Sequence, residues 1–479
     1  MNDLSPPQAD NSDSGRDDRC PGTSYTDMLK ADTRRVPDYL FAESNQDLGD
    51  APIPIERYVS EDWAKLEREK MWPNIWQYAA REEDMPEPGD TVVYDINEKS
   101  ILLVRQKDLS VKAFYNVCLH RGRKLRTESG PAVHLRCPFH GFAWHHDGRF
   151  KEAPCAWDFK HLEAKDMSLP ELRVEQWQGF ILVTENHDLP SFRDWVGPGV
   201  EHYDNWRLDE CVTGAWVGRV IPANWKAVSE AFMEAWHSIV THPQILGFTA
   251  DANTRYDLYG DFLNRAITPA GAMSPHIKGK DQFYVLKSLE DFIGAGDSRA
   301  RRATGDPADL KGFAADDPML ARKVLAQANR DAFSAMNGHD YSDATDSEML
   351  DNFTYNVFPN WSPWGGLVPN IVYRWRPWGD ADHCLMEVRI LMRAPKGEKP
   401  PKSAPMHLIP DDQPFSSASH LIGAALAGVF DQDMENLPYV QEGMKSSPNG
   451  VLELGHYQES RIRHFHRTLE KYMDGTLPA

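Results

Sequence analysis

Cys118 and His120, followed after sixteen residues by Cys137 and His140, set two thiols and two imidazoles in the pattern C-x-H-x16-C-x-x-H. Such a set can hold a [2Fe-2S] cluster in which two His replace two Cys on one iron, a centre that moves single electrons. Two Cys and two His can also close a tetrahedral zinc shell. Zinc fingers, however, group like ligands as Cys-x2-4-Cys and His-x3-5-His, whereas here each short run supplies one of each. Mixed pairs suit a cluster with one iron on thiolates and the other on imidazoles.

A second constellation lies downstream. From Asn224-Trp225-Lys226 the pattern predicts a helical stretch in which Glu230, Glu234 and His237 fall at i, i+4 and i+7, on one face. His242 precedes Pro243, so the helix is predicted to end near it. That end would let His237 and His242, five residues apart, reach one metal. Two neutral imidazoles and a carboxylate with open positions form the facial triad of non-haem Fe(II) oxygenases. In a chain with 18 His, a pair of ordinary helix-end histidines reads the same way.

The runs Cys118-Leu119-His120-Arg121-Gly122 and Cys137-Pro138-Phe139-His140-Gly141 resemble the two ligand loops of Rieske domains. The run Asn224-Trp225-Lys226-x3-Glu230-x3-Glu234-x2-His237-x4-His242 resembles the mononuclear iron motif of Rieske non-haem iron oxygenases. Within that family the likeness is to the α, or terminal oxygenase, subunit of aromatic-ring-hydroxylating dioxygenases, and it extends from roughly Val59 to Gly443. The resemblance implies an α+β chain: an N-terminal all-β Rieske [2Fe-2S] domain, then a helix-grip (START-like) catalytic domain with an antiparallel sheet. Asn356 to Asn360 and Val372 to Trp375 look like strands of that sheet.

The third iron ligand of the family is an Asp opening a stretch that ends in Gln-x-Gly. Asp433, eight residues before Gln441-Glu442-Gly443, fits that position, and Asp431 is its rival. Either could instead be a solvated acid on a helix that begins after Pro414, with an apolar stripe through Leu421, Ala424 and Ala425. Glu234 stands where the family most often has an Asp joining the first iron His to a cluster His across subunits. The resemblance therefore implies a bridge from His237 through Glu234 to His140 of the partner subunit. The plainer reading of this helix face is surface carboxylates, with Lys226 and Glu230 paired at i+4.

By resemblance the chain is a terminal oxygenase that activates O2 at a mononuclear Fe(II) and hydroxylates an aromatic or bulky hydrophobic small molecule, by cis-dihydroxylation or monohydroxylation. Oxidative demethylation or monooxygenation of a non-aromatic small molecule is the alternative, and a Rieske electron carrier without oxygenase activity is a further one. No G-x-G-x-x-G follows a strand, so NAD(P)H electrons are expected through a separate flavin reductase, with or without a ferredoxin. A homotrimer is implied, with a small β subunit left open. Respiratory Rieske proteins carry an extra Cys in each loop, joined as a disulfide, where Arg123 and Phe139 stand here. The potential is therefore expected toward the low end of about −150 to +300 mV.

Composition bounds the rest. The 479 residues allow two or three domains, and 41% hydrophobic content with 15 Trp supplies their cores. A formal charge of −20 repels phosphate backbones and anionic lipid, so neither nucleic acid nor membrane is an expected partner. Cys20, Cys155, Cys211 and Cys384 have no framework spacing, which fits a reducing cytoplasm. The polar N-terminus suggests a flexible tail over 1–40, leaving the Rieske domain with its leading helix at 41–190 and the catalytic domain at 191–479. Ser60 is predicted to cap that leading helix. Strands are predicted at Thr91 to Tyr94, Ile101 to Val104 and Lys112 to Tyr115, with Gly179 to Val183 returning to the same sheet system. The stretch from about 294 to 348, with a helix expected from Asp317 to Asn337, looks like a variable insertion that lines an entrance, forms a subunit contact or is a plain surface excursion. Phe232, Trp236, Phe248 and Phe358 either line an apolar pocket or fill the core.

Overall fold

Residues 19–294, 314, 316–367 and 370–477 are described by the computed structural model. The three predicted strands are Asp90–Ile96, Lys99–Arg105 and Val111–Tyr115, paired antiparallel as a meander. Asn97, with φ of 51°, opens the two-residue turn between the first two, a left-handed conformation that Asn tolerates. The sheet has seven strands in the order Gln77–Arg81, Phe180–Thr184, Glu171–Trp177, Val111–Tyr115, Lys99–Arg105, Asp90–Ile96 and Gly130–Pro131. A small sheet of Leu135–Arg136, Ala143–Trp144 and Phe150–Glu152 lies beside it. Leu102, Val104, Phe114, Phe142 and Trp144 pack with Cys118 and Cys137 in one core, so this domain's apolar interior is built around the two thiols.

The second domain is an eight-stranded sheet in the order Arg255–Tyr259, Leu263–Thr268, Asn352–Val357, Trp361–Pro363, Asn370–Trp378, Asp380–Arg393, Cys211–Ile221 and His407–Leu408. All pairings are antiparallel except the last, short one. The helix Ser460–Met473 buries Ile462, Phe465 and Leu469 in the main core. Each such side chain contributes about 1.5–3 kcal/mol of burial, enough to fix the helix on the sheet.

Charged groups join the two domains. Glu387 accepts from Arg374 Nε (2.6 Å) and Nη2 (2.8 Å) and from Arg376 Nε (3.1 Å), all buried. Arg374 Nη1 in turn donates to the carbonyls of Tyr78 (2.8 Å) and Ala79 (2.9 Å) on the first domain's edge strand. Arg389 binds Asp84 (2.7 Å) across the same boundary.

Two expectations about the ends and the insertion are corrected. Residues 1–18 of the expected tail lie outside the described residues, but 19–40 are not a tail: they form the helices Tyr25–Lys30 and, beginning within it, Asp38–Phe41. Ser24 and Asp27 close a capping box, and Tyr25, Met28 and Leu29 are buried. Asp32 accepts from the Asp346 amide (3.0 Å), and Thr33 Oγ1 donates to Asp346 (2.6 Å). Ile53–Pro54 pairs with Val451–Leu452, so chain assigned to the first domain packs on the second. The insertion's helix is Leu320–Asn337, close to expectation, while 295–313 lie outside the described residues. Its Arg322 grips buried Asp351 (2.6 Å), and its Gln327 and Arg330 meet Arg34 (3.3 Å) and Thr33 (3.4 Å), making it a platform for the N-terminal segment and not a plain excursion.

Candidate functional site

The two Cys-His loops share one backbone pattern. Cys118 N donates to Arg123 O (2.8 Å) and Gly122 N to Cys118 O (2.9 Å); Cys137 N donates to Phe142 O (2.8 Å) and Gly141 N to Cys137 O (3.0 Å). Gly122 and Gly141 have φ of 77° and 80°, the left-handed region where a Cβ is disfavoured. The repeat brings the loops face to face. Cys118 and Cys137 are buried and unbridged, and burial followed by contact with Cys137 pushes the Cys118 thiol pKa up. The His120 and His140 rings lie 4.7 Å apart.

His120 Nδ1 is buried without a hydrogen-bond partner, an arrangement that costs free energy unless something binds there. Two facing thiols, two adjacent imidazoles and one orphaned ring nitrogen fit the donor set of a mixed-ligand [2Fe-2S] cluster. His140 is exposed, and Phe139 beside it is 55% exposed under the Arg121 guanidinium.

The second constellation departs from the predicted helix. Asn224 caps a helix that covers only Trp225–Glu230, and a second, Ser238–Thr241, starts after His237. Between them the backbone is claimed by side chains: Ala235 N donates to the distant Tyr256 Oη (3.2 Å), the distant Arg461 Nη1 to Met233 O (3.1 Å), and His237 N to the local Glu234 Oε2 (3.1 Å). Glu230 and Glu234 therefore do not share a face. Glu230 accepts from Tyr58 Oη (2.9 Å) and lies 2.8 Å from His466 Nε2, while Lys226 pairs with Glu67 (2.6 Å) and not with Glu230.

The break brings His237 and His242 together, with ring centroids 5.1 Å apart. Asp433 joins them from the helix Ala424–Met434, its Oδ1 3.0 Å from His242 Nε2 and 3.7 Å from His237 Nε2. The three donor atoms all lie within 4.8 Å of one another. Asp431, the rival, accepts from the amides of Phe415 (2.6 Å) and Ser416 (3.1 Å), capping the preceding 3-10 turn. The buried face of this region is Ile422, Ala427, Phe430 and Asp433, not the expected Leu421, Ala424 and Ala425.

Each imidazole is held from behind. Glu234 Oε1 accepts from His237 Nδ1, which turns Nε2 toward Asp433. Burial opposes a charge on His237, but Glu234 and then Asp433 raise its pKa overall. The locus is thus electronegative and favours a cation, as a site for Fe(II) must. Gln432 Oε1 lies 2.9 Å from His242 Nδ1, a contact that sequence reasoning missed because nothing local marks it.

Of the four aromatics singled out, Phe232 packs with tilted rings against Tyr373 (4.8 Å) and Trp375 (5.5 Å), beside Phe430 on the helix that carries Asp433. Phe248 belongs to a separate cluster with Val285 and Leu325, Phe358 packs on Phe465 in the core, and Trp236 is 43% exposed.

Comparison with known proteins agrees with this two-part organisation. Residues 75–163 match the Rieske [2Fe-2S] domain, and residues 198–475 match the ring hydroxylating alpha subunit (catalytic domain). The chain is 32% identical over 195 residues to the chlorobenzene dioxygenase subunit alpha of Cupriavidus sp. (strain PS12), covering 38% of this chain and 42% of that one. It is 28% identical over 194 residues to the carnitine monooxygenase oxygenase subunit of Escherichia coli (strain K12), covering 40% and 52%. The chain thus spans about half the length, or less, of these curated relatives. The fold is shared with the quaternary ammonium Rieske monooxygenase CntA in complex with L-carnitine, at a TM-score of 0.61 and 18% identity over 90% of this chain and 100% of that one. It is equally shared with naphthalene 1,2-dioxygenase with indole bound, at 0.61 and 18% over 89% and 93%.

Proposed function

The chain belongs to the ring-hydroxylating α-subunit family, and on that premise we propose that it is a terminal oxygenase hydroxylating an aromatic or bulky hydrophobic small molecule. The observation that carries the reading is the convergence of His237, His242 and Asp433, with two imidazoles and one carboxylate turned to a common point. Cys118 and Cys137 would hold one iron of a [2Fe-2S] cluster and His120 and His140 the other; His237, His242 and Asp433 would hold the mononuclear Fe(II). When bound, these groups supply single-electron transfer and O2 activation, respectively.

The chain's own residues do the positioning. Glu234 keeps the proton of His237 on Nδ1, so Nε2 is the free donor, and Asp433 supplies the negative charge that holds a divalent ion. Phe232, Tyr373 and Phe430 pack on one another as an apolar flank beside the helix that carries Asp433. Electrons would come from NAD(P)H through a separate flavin reductase, with or without a ferredoxin.

A homotrimer is part of the proposal, with a small β subunit as an optional component. Exposed apolar side chains beside each centre support it: Phe139 against His140, and Trp236 and Val240 (81% exposed), within three residues of His237 in the chain. Docking one of these surfaces onto the other in a neighbouring copy would let Glu234 bridge His237 to His140 of the partner subunit. No helix among the described residues is long and apolar enough to cross a membrane. Cys20, Cys155, Cys211 and Cys384, all free thiols, support a reducing cytoplasm as the compartment.

A second reading, monooxygenation or oxidative demethylation of a non-aromatic small molecule, is favoured by the likeness to carnitine monooxygenase. The same aromatic flank supports it, since aromatic faces attract quaternary ammonium groups as well as rings. Supplying a compatible reductase, offering aromatic and quaternary ammonium compounds under labelled O2 and counting oxygen atoms in the product separates the two. Replacing Asp433 with Ala tests the site itself: the cluster's visible and EPR signals should persist while product formation stops. Retained turnover would remove Asp433 from the mechanism.

A further inference from the structure

His237 and His242 both have an acceptor behind Nδ1, but the acceptors differ in kind. Behind His237 it is the Glu234 carboxylate; behind His242 it is an amide. Gln432 Oε1, 2.9 Å from His242 Nδ1, also receives Gln244 Nε2 at 2.6 Å, and Gln432 Nε2 returns a longer bond to Gln244 Oε1 at 3.3 Å. The two amides form a reciprocal pair between chain segments 188 residues apart. One segment follows His242 directly, and the other is the helix that carries Asp433.

The orientation of the Gln432 amide and the tautomer of His242 are coupled. An amide oxygen only accepts, so Oε1 toward the ring requires the proton on Nδ1 and leaves the Nε2 lone pair facing Asp433 Oδ1 at 3.0 Å. With the amide turned over, its NH2 would face Nδ1, the proton would move to Nε2, and that proton would occupy the position a metal needs. Gln244 bears on this choice because its NH2 donates to the same Gln432 oxygen, so Gln432 cannot turn over unless Gln244 turns with it.

We propose that the Gln244–Gln432 amide pair is the positioning element that holds His242 in its metal-binding tautomer and ties the two ligand-bearing segments together. The proposal rests on the reading of His237, His242 and Asp433 as metal ligands. Gln244 is exposed and Gln432 half-buried, so their bonds matter little to the fold, and their effect should be read at the metal.

The test uses the full chain with its cluster present, stripped of loosely held metal and titrated with Co(II) against a competing chelator. Binding is followed by Co(II) EPR with the cluster oxidised. Gln432→Leu removes the acceptor and should weaken Co(II) binding about 10- to 100-fold with an altered EPR pattern. Gln432→Glu keeps an acceptor and adds a charge, and should restore binding to at least the wild-type level. Gln244→Ala should weaken binding less than Gln432→Leu does, and combining it with Gln432→Leu should add nothing further. Co(II) affinity and EPR unchanged in Gln432→Leu would overturn the proposal. If Gln432→Leu loses its cluster colour, Gln244→Ala decides: unchanged affinity refutes the amide pair, and a loss with colour intact supports it. A wild type that binds Co(II) no better than His237→Ala would instead sink the metal-ligand reading beneath it.

Discussion

Replacing Glu387 with Gln tests the charged clamp between the two domains. Burial alone would raise the Glu387 pKa, but Arg374 and then Arg376 outweigh it and lower it from 4.5 to about 2. At about 1.4 kcal/mol per unit, that shift corresponds to about 3 kcal/mol of stability at pH 7. Gln keeps the shape but not the charge, leaving two buried guanidiniums without a counter-charge, a loss in the range of about 3–5 kcal/mol for a broken buried pair. The sign with pH follows from the depressed value: the stabilisation is complete above 4.5 and disappears as pH falls toward 2. By that linkage wild type loses a minor part of it by pH 4 and more than half by pH 3. Urea unfolding of wild type and Glu387→Gln, followed by Trp fluorescence at pH 7, 4 and 3, measures the gap directly, and contributions from other carboxylates cancel in the difference. A gap below about 1 kcal/mol at pH 7, or one that stays constant down to pH 3, would refute the clamp as a stabilising element.

Cys118→Ser should bleach the visible absorption of the cluster, and an unchanged spectrum would defeat the ligand assignment. Glu234→Gln keeps an oxygen behind His237 but removes its charge; metal should still bind, while reoxidation of the reduced cluster by O2 and substrate slows by about 10- to 100-fold. Reoxidation at the wild-type rate would take Glu234 out of the coupling between centres.

The cluster loops were legible because everything that defines them is local: ligand type, two glycines at left-handed positions and a spacing of a few residues. The leading helix was legible for the same reason, since the Ser60 side chain does accept from Trp63 N (3.2 Å). The N-terminal helices are less legible although their signals are present, in the Ser24 to Asp27 capping box and the spacing of Tyr25, Met28 and Leu29. Polar composition outweighs them because their partners are remote in sequence: Tyr25 and Leu29 join the main core, and Asp32 and Thr33 bind Asp346 some three hundred residues away. Lys226 and Glu230 have the spacing of a surface pair, yet Lys226 is buried against Glu67, which no helical periodicity could reveal.

The largest error of local reasoning is also the most informative. Helical spacing from Asn224 to His242 predicts one helix, and the chain instead breaks after Glu230 because Tyr256, Arg461 and Glu234 take up the intervening amides and carbonyl. A straight helix holds side chains five residues apart on different faces, so His237 and His242 could not converge on one ion. The break that costs local hydrogen bonds is the same feature that builds the donor set. His120 Nδ1, buried with no partner, is a second departure, and it lies in the other centre. Departures from local rules are expected where function opposes folding preference. Here two of them, found in separate domains, mark the two positions that the ligand chemistry had already singled out.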